Sequence, residues 1–128
     1  MKNPVQTEHA PAALGPYSQA VEVNGWVFCS GQIGLEPGSG KLVQGGVEAE
    51  TRRVLENIRA VLAAAGLTLA DVVSTTIFLI DLKDFETVNR IYSEHFSAPY
   101  PARATVQAAA LPRGARIEIA AVASRSAA

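Results

Sequence analysis

Cysteine occurs once in this chain, at Cys29. One cysteine excludes an intrachain disulfide and a zinc site built on a cysteine cluster. Excess charge is also missing: the net charge is −1 and no basic run is present. That argues against a dedicated nucleic-acid or anionic-membrane surface. No stretch approaches the ~20 apolar residues of a membrane span. The opening MKNPVQTEHAPAALG carries no apolar segment of the secretory-signal kind, so a cytoplasmic location is expected. Internal repeats and low-complexity linkers are lacking. The glycine-rich loop GQIGLEPGSGK (31–41) does not fit a phosphate loop: the glycine spacing before Lys41 is wrong and Leu42 replaces the required Ser or Thr. No GxGxxG or GxSxG is present. Of the two histidines, His9 lies in the lead-in and His95 near a helix end, where a cation suits the dipole. Cys29 reads as a small core residue in an apolar strand.

What is present is a chain of 128 residues with 48% apolar and 18% charged residues. That length suits one domain, 1–128, able to bury roughly two-thirds of the surface its unfolded form exposes. Residues 1–16 hold three prolines and read as an extended lead-in. YSQAVEV (17–23) and WVFCS (26–30) read as strands joined at Asn24-Gly25, a strong hairpin signal. A short third strand is expected at Leu42-Val43. The period then changes: Val47, Thr51, Val54, Leu55, Ile58, Val61, Leu62 and Ala65 share one helical face, and Gly66 ends the helix. VVSTTIFLI (72–80) predicts a central strand covered on both faces. Asp84 is placed to cap a second helix whose buried stripe is Phe85, Val88, Tyr92 and Phe96. Pro99 and Pro101 bar its continuation. Two final strands, 102–109 and 115–123, flank a turn near Leu111–Gly114.

The order predicts an α+β domain. Two right-handed crossovers put both helices on one face of a mixed sheet. The other face is left bare, with small apolar residues such as Ala108, Ala110, Ala120 and Val122. Such a face calls for a partner, so an oligomer is expected.

Two charges interrupt the final strands. Arg103, Thr105 and Gln107 share one side of their strand, as Arg116, Glu118 and Ala120 do of theirs. A hairpin centred between Leu111 and Pro112 pairs Thr105 with Glu118 and makes Arg103 and Glu118 diagonal neighbours. As structure, the two form a cross-strand ion pair. As a site, Arg103 is shaped to hold a carboxylate through two parallel hydrogen bonds, and Glu118 to orient a water or accept its proton. Ser30-Gly31 leaves backbone open to close approach. Asn89 is a neutral residue at the edge of the second helix's stripe, and Tyr17 is an amphipathic candidate for pocket or core.

GPYSQA (15–20), SGQI (30–33), a helix ending in AAGL (64–67), DF..VN (84–89), PAR (101–103) and IEI (117–119) together resemble the reactive-intermediate (enamine/imine) deaminases, the Rid or YjgF-like family. The resemblance runs from about residue 14 to residue 123. It implies a chorismate-mutase-like fold and a homotrimer formed through the helix-free face, with sites in clefts between subunits. It also assigns roles. Arg103 matches the arginine that grips the substrate carboxylate and Glu118 the acid that positions water. Tyr17, Ser30 and Asn89 match pocket-lining residues, and Gly31 contributes backbone. Thr105 stands where many members have cysteine, at a position that acts mainly through its backbone.

The implied reaction is hydrolysis of a 2-enamine or 2-imino acid to a 2-oxo acid and ammonia, with no metal and no organic cofactor. Small 2-imino acids are the expected partners; nucleic acid and membrane are not. The alternatives are a non-catalytic ligand-binding or regulatory trimer and a related deaminase of aminomuconate-type substrates. Glu118 beside Arg103 favours the enzyme, because a carboxylate sensor needs no water-orienting acid.

Overall fold

The computed structural model describes residues 1–127. Six strands form one mixed sheet: β1 (Asn3–Val5), β2 (Ala20–Val23), β3 (Trp26–Gln32), β4 (Val72–Leu79), β5 (Ala102–Gln107) and β6 (Ile117–Ser124). Their order across the sheet is β1-β2-β3-β6-β4-β5. Only the β4–β5 pair is parallel. Two helices, α1 (Gly46–Ala64) and α2 (Phe85–His95), occupy one face, as the crossover argument requires. No helix among the described residues is long and apolar enough to cross a membrane.

Helix α1 forms where the 3.6-residue period predicts it. Val54, Leu55, Ile58, Val61 and Leu62 are all but fully buried. The helix stops in a Schellman arrangement: Gly66 takes φ 77°, its N–H bonds the Ala63 carbonyl, and the Leu67 N–H bonds the Leu62 carbonyl, both at 2.9 Å. Only a residue without Cβ adopts that φ at no cost. The polar faces of the helices meet through Arg52–Glu94 (2.9 Å) and Arg90–Glu48 (2.8 Å). These exposed pairs are screened by water and contribute little to stability. Beneath α1, β6 contributes Ile117, Ile119, Ala121 and Ala123, and β4 contributes Ile77 and Leu79, all buried.

Several expectations are corrected. The extended lead-in contains β1, which pairs with β2 because Gln19 ties down the segment behind it. The buried Gln19 side chain accepts from the Thr7 N–H at 2.7 Å and donates to the carbonyls of Thr7 and Pro11 at 3.1 and 2.8 Å. Leu42-Val43 forms no strand; Leu42 makes one isolated bridge to Leu35. Asp84 occupies the N-cap position of α2 but its side chain caps nothing. The Asp81 carboxylate instead accepts from the Lys83 N–H at 2.9 Å, capping the short helical turn that precedes α2. Phe85 is exposed, and Ile91 takes the core place with Val88 and Tyr92.

The pairing of the last two strands also differs. β5 and β6 are not neighbours: β4 lies between them, parallel to β5 and antiparallel to β6. Thr105 pairs with Ile77 and Glu118 with Phe78. The apolar content of β6 wins it the centre of the sheet, while β5, largely exposed, takes the edge. On the helix-free side β4 is only half-buried at Ser74, Thr76 and Phe78, so the chain itself covers one face of this strand. Around them, Trp26, Phe28 and Val106 are exposed, each by 44–45%.

Candidate functional site

The register fixes where each candidate residue stands. Arg103 pairs with Thr75 and Thr105 with Ile77. Thr75 and Ile77 are buried under the helices, so Arg103 and Thr105 belong to the helix side at the sheet edge. Glu118 pairs with Phe78 and belongs to the helix-free side. The diagonal Arg103–Glu118 contact expected from a hairpin therefore does not exist within one chain. The candidates divide into two groups.

The first group gathers around Glu118. A depression on the surface is lined by Tyr17, Gly31, Ile33, Pro112, Arg113 and Glu118, with Leu14 at its side. Its floor depends on an irregularity in β3. Phe28 and Cys29 pair with Val122 and Ala121, but the next pair is Gln32 with Ile119, so Ser30 and Gly31 together oppose Ala120. This is a bulge, a common device for re-aiming side chains beside a site. The Ser30 hydroxyl donates to the Ser18 carbonyl at 2.6 Å and the Ser30 N–H to the Gln19 carbonyl at 2.9 Å. Those bonds fasten the bulge to the segment that presents Tyr17, which is 55% exposed. Gly31 has a steric role as well as a backbone one. A Cβ there would stand 2.9 Å from Glu118 Cδ and closer still to its carboxylate oxygen. Only glycine lets the half-buried Glu118 lie against β3. That burial pushes the Glu118 carboxyl above the usual carboxylate range, and no cation pairs with it among the described residues.

The second group gathers around Arg103. Asn89, Tyr92, Ser93, Tyr100, Pro101 and Arg103 line a second depression, between α2 and the start of β5. Arg103 also enters no ion pair among the described residues. Two buried oxygens in this group, Asn89 Oδ1 and Thr105 Oγ1, have no hydrogen-bond partner among the described residues. Such atoms are costly to leave unpaired.

Two residues that shape these groups escaped the sequence reading. Gln19 sits inside the GPYSQA motif but gives no sign there of organising the lead-in. Tyr92 reads as a stripe residue; its hydroxyl in fact shares a 2.8 Å hydrogen bond with buried Thr75. Cys29 is buried, and burial pushes its thiol up to about 12. No cluster of three or more metal-ligating side chains occurs among the described residues.

The mixed six-stranded sheet with two helices on one face is the chorismate-mutase-like α+β arrangement. The chain belongs to the family described as Endoribonuclease L-PSP, the YjgF/Rid family, which matches residues 7–125. It is 53% identical over 119 residues to human 2-iminobutanoate/2-iminopropanoate deaminase, covering 93% of this chain and 87% of the human protein. It is 54% identical over 123 residues to the chloroplastic Reactive Intermediate Deaminase A of Arabidopsis thaliana, covering 96% of this chain and 66% of that one. Among solved structures, RidA from a Psychrobacter species superposes with a TM-score of 0.92 at 46% identity, over 95% of this chain and 98% of that one. E. coli TdcF with bound serine superposes with a TM-score of 0.90 at 41% identity, over 97% and 99%.

Proposed function

We propose that this protein is a hydrolytic deaminase that converts reactive 2-enamine and 2-imino acids to 2-oxo acids and ammonia, acting as a cytoplasmic homotrimer. The observation that carries the reading is that Arg103 and Glu118 are both uncommitted. Each lacks an ion-pair partner among the described residues, and each lies in a surface depression with other candidate residues. The relatives named as deaminases of 2-iminobutanoate and 2-iminopropanoate, 53% identical, support the substrate class.

The site is assembled across a subunit boundary. Arg103, Asn89 and Thr105 come from one chain; Glu118, Tyr17, Ser30 and Gly31 come from the partner subunit. The bare apolar face of Trp26, Phe28 and Val106 supplies the surface for closed symmetric assembly. The Arg103 guanidinium holds the substrate carboxylate through paired, charge-assisted hydrogen bonds. Asn89 borders the same depression, and Thr105, two residues beyond Arg103 on the helix side of β5, acts through its backbone. Glu118 takes a proton from a water as its oxygen attacks the imine carbon. The proton passes to the nitrogen of the tetrahedral adduct; as the C–N bond breaks, Glu118 takes the proton of the adduct's hydroxyl, the 2-oxo acid forms, and the departing ammonia carries that proton away as ammonium. An iminium carbon is already electrophilic, so positioning supplies much of the acceleration required. A raised carboxyl pKa suits this task, because a stronger base accepts the water proton more readily.

The family description names an endoribonuclease. The net charge of −1 without a basic run does not favour a surface for nucleic acid.

The test is Arg103→Ala, assayed with an amino-acid oxidase that supplies imino acids and with semicarbazide to trap what remains. Charged hydrogen bonds of this kind are worth about 1.5–3 kcal/mol each, so kcat/KM falls by roughly two to four orders of magnitude, with the assembly intact by size exclusion. Hydrolysis at near the parent rate would make Arg103 structural only.

A further inference from the structure

Arg103 poses a problem of positioning. It lies on an edge strand, its residue is exposed, and its long side chain has much rotamer entropy to lose on ordering. A guanidinium in this setting is ordinarily fixed by a carboxylate. Here no side-chain hydrogen bond or ion pair fixes it among the described residues. Its fixed neighbours are two aromatic rings. The guanidinium carbon stands 5.0 Å from the centroid of Tyr92 and 5.4 Å from that of Phe85.

The two rings differ in how they are held. Tyr92 is anchored: it is 5% exposed, its hydroxyl bonds Thr75, and its ring packs on Phe96 with centroids 4.4 Å apart. Phe85, the first residue of α2, is 37% exposed, and burial alone gives a weak reason for a phenylalanine there. The cation over its ring gives a better one.

We infer that Phe85 and Tyr92 form a two-ring clamp that positions the Arg103 guanidinium for the substrate carboxylate, with Phe85 as its exposed jaw. This rests on the carboxylate-holding reading of Arg103. The chemistry of the clamp follows from the shape of the cation. All five guanidinium donors lie in its plane. An aspartate or glutamate would occupy those donors and compete with the substrate. A ring attracts the cation through its quadrupole and accepts none of the strong hydrogen bonds that the substrate needs. The clamp thus orders the arginine before binding and leaves its hydrogen-bonding edge free, which lowers the ordering cost paid on association. Phe85 and Tyr92 are positioning residues in this scheme: they act through Arg103.

The test compares Phe85→Leu, Phe85→Tyr and Arg103→Ala. It measures kcat and KM for oxidase-generated 2-iminobutanoate, and Ki for 2-oxobutanoate, the stable product. Phe85→Leu keeps an apolar side chain and loses the quadrupole; KM and Ki rise about three- to tenfold while kcat stays within about twofold. Phe85→Tyr restores the ring and returns Ki to within about twofold of the parent. Because Phe85 is on the surface, melting temperatures should change little across the three variants. A parent-like Ki in Phe85→Leu, or a Phe85→Tyr protein as weak as Phe85→Leu, overturns the clamp. An Arg103→Ala protein with parent Ki overturns the carboxylate reading itself. If Arg103→Ala weakens Ki and Phe85→Leu does not, the clamp alone fails.

Discussion

Arg103 and Glu118 stand on opposite faces of one sheet, with β4 between their strands. Their strands are two strand spacings apart, about 10 Å, and their side chains leave the sheet in opposite directions. No rotamer change within a single chain joins them. If the two act on one substrate, they come from different subunits. The oligomer is then part of the chemistry and not only a cover for apolar surface.

Gly31→Ala tests the packing of Glu118 against the β3 bulge. The added Cβ would lie 2.9 Å from Glu118 Cδ, so the carboxylate must swing away. Misplacing a catalytic group by about 1 Å can cost on the order of 100-fold. The expected outcome is a 10- to 100-fold fall in kcat/KM with little change in melting temperature. Full activity in the alanine variant would show that the position of Glu118 is not critical.

The pH dependence follows from burial. Glu118 is held above the usual carboxylate range by desolvation, and it must be ionised to accept a proton. With Arg103 holding the substrate carboxylate as proposed, its charge is met in the complex and burial continues to govern Glu118. The kcat profile, which reports the complex, should fall on its acid side through a pKa above the ordinary glutamate value of ~4.3. Glu118→Gln should remove most of the activity and flatten that limb. The linkage to stability has the opposite sense. A carboxyl raised in the fold contributes stability that is present below its unfolded pKa and lost as pH rises through the folded one. Glu118→Gln should therefore be the more stable protein at pH 8, by thermal melting with saturating 2-oxobutanoate to occupy Arg103, and lose that advantage near pH 4.

Thr105→Cys should fold and stay active within several-fold. The Thr105 hydroxyl is buried without a partner among the described residues, so replacing it with a weakly polar thiol forfeits no bond among them. A loss as large as that of Arg103→Ala would give the hydroxyl a direct role. The parent should resist thiol reagents, because its only cysteine is buried and its pKa is pushed up to about 12. Labelling with iodoacetamide at pH 7.5, followed by mass, reads this directly.

Local features were legible in the sequence. The α1 stripe, its glycine stop and the Asn24-Gly25 turn, with φ of 51° and 81°, each rest on contacts a few residues apart. So did the one-sided placement of the helices, which follows from crossover handedness. Strand neighbours were less legible. A short link between residues 107 and 117 reads as a hairpin, yet the link crosses the end of β4 instead. There the Ala108 N–H bonds the Leu79 carbonyl, and the Ile80 N–H bonds the Arg116 carbonyl. Which strand takes the centre is a competition among all strands for burial, and β6 outcompetes β5 with Ile117 and Ile119. The candidate residues themselves are named from the sequence; their division into two groups on opposite faces is not, because it depends on that competition. Phe85 was misassigned to the core for a related reason: a helical stripe does not reveal where the sheet beneath it ends.

The most direct measurement is subunit complementation. Arg103→Ala and Glu118→Ala proteins, each inactive alone, are mixed, unfolded and refolded together, with trimer mass and subunit exchange followed by light scattering and native mass spectrometry. Sites shared between subunits regain an intact Arg103 from one chain and an intact Glu118 from the other at about a quarter of the interfaces, given random assembly into closed rings. Imine hydrolysis should return to about a quarter of the parent rate. Mixed trimers that form and remain inactive, or subunits that never assemble, would contradict it.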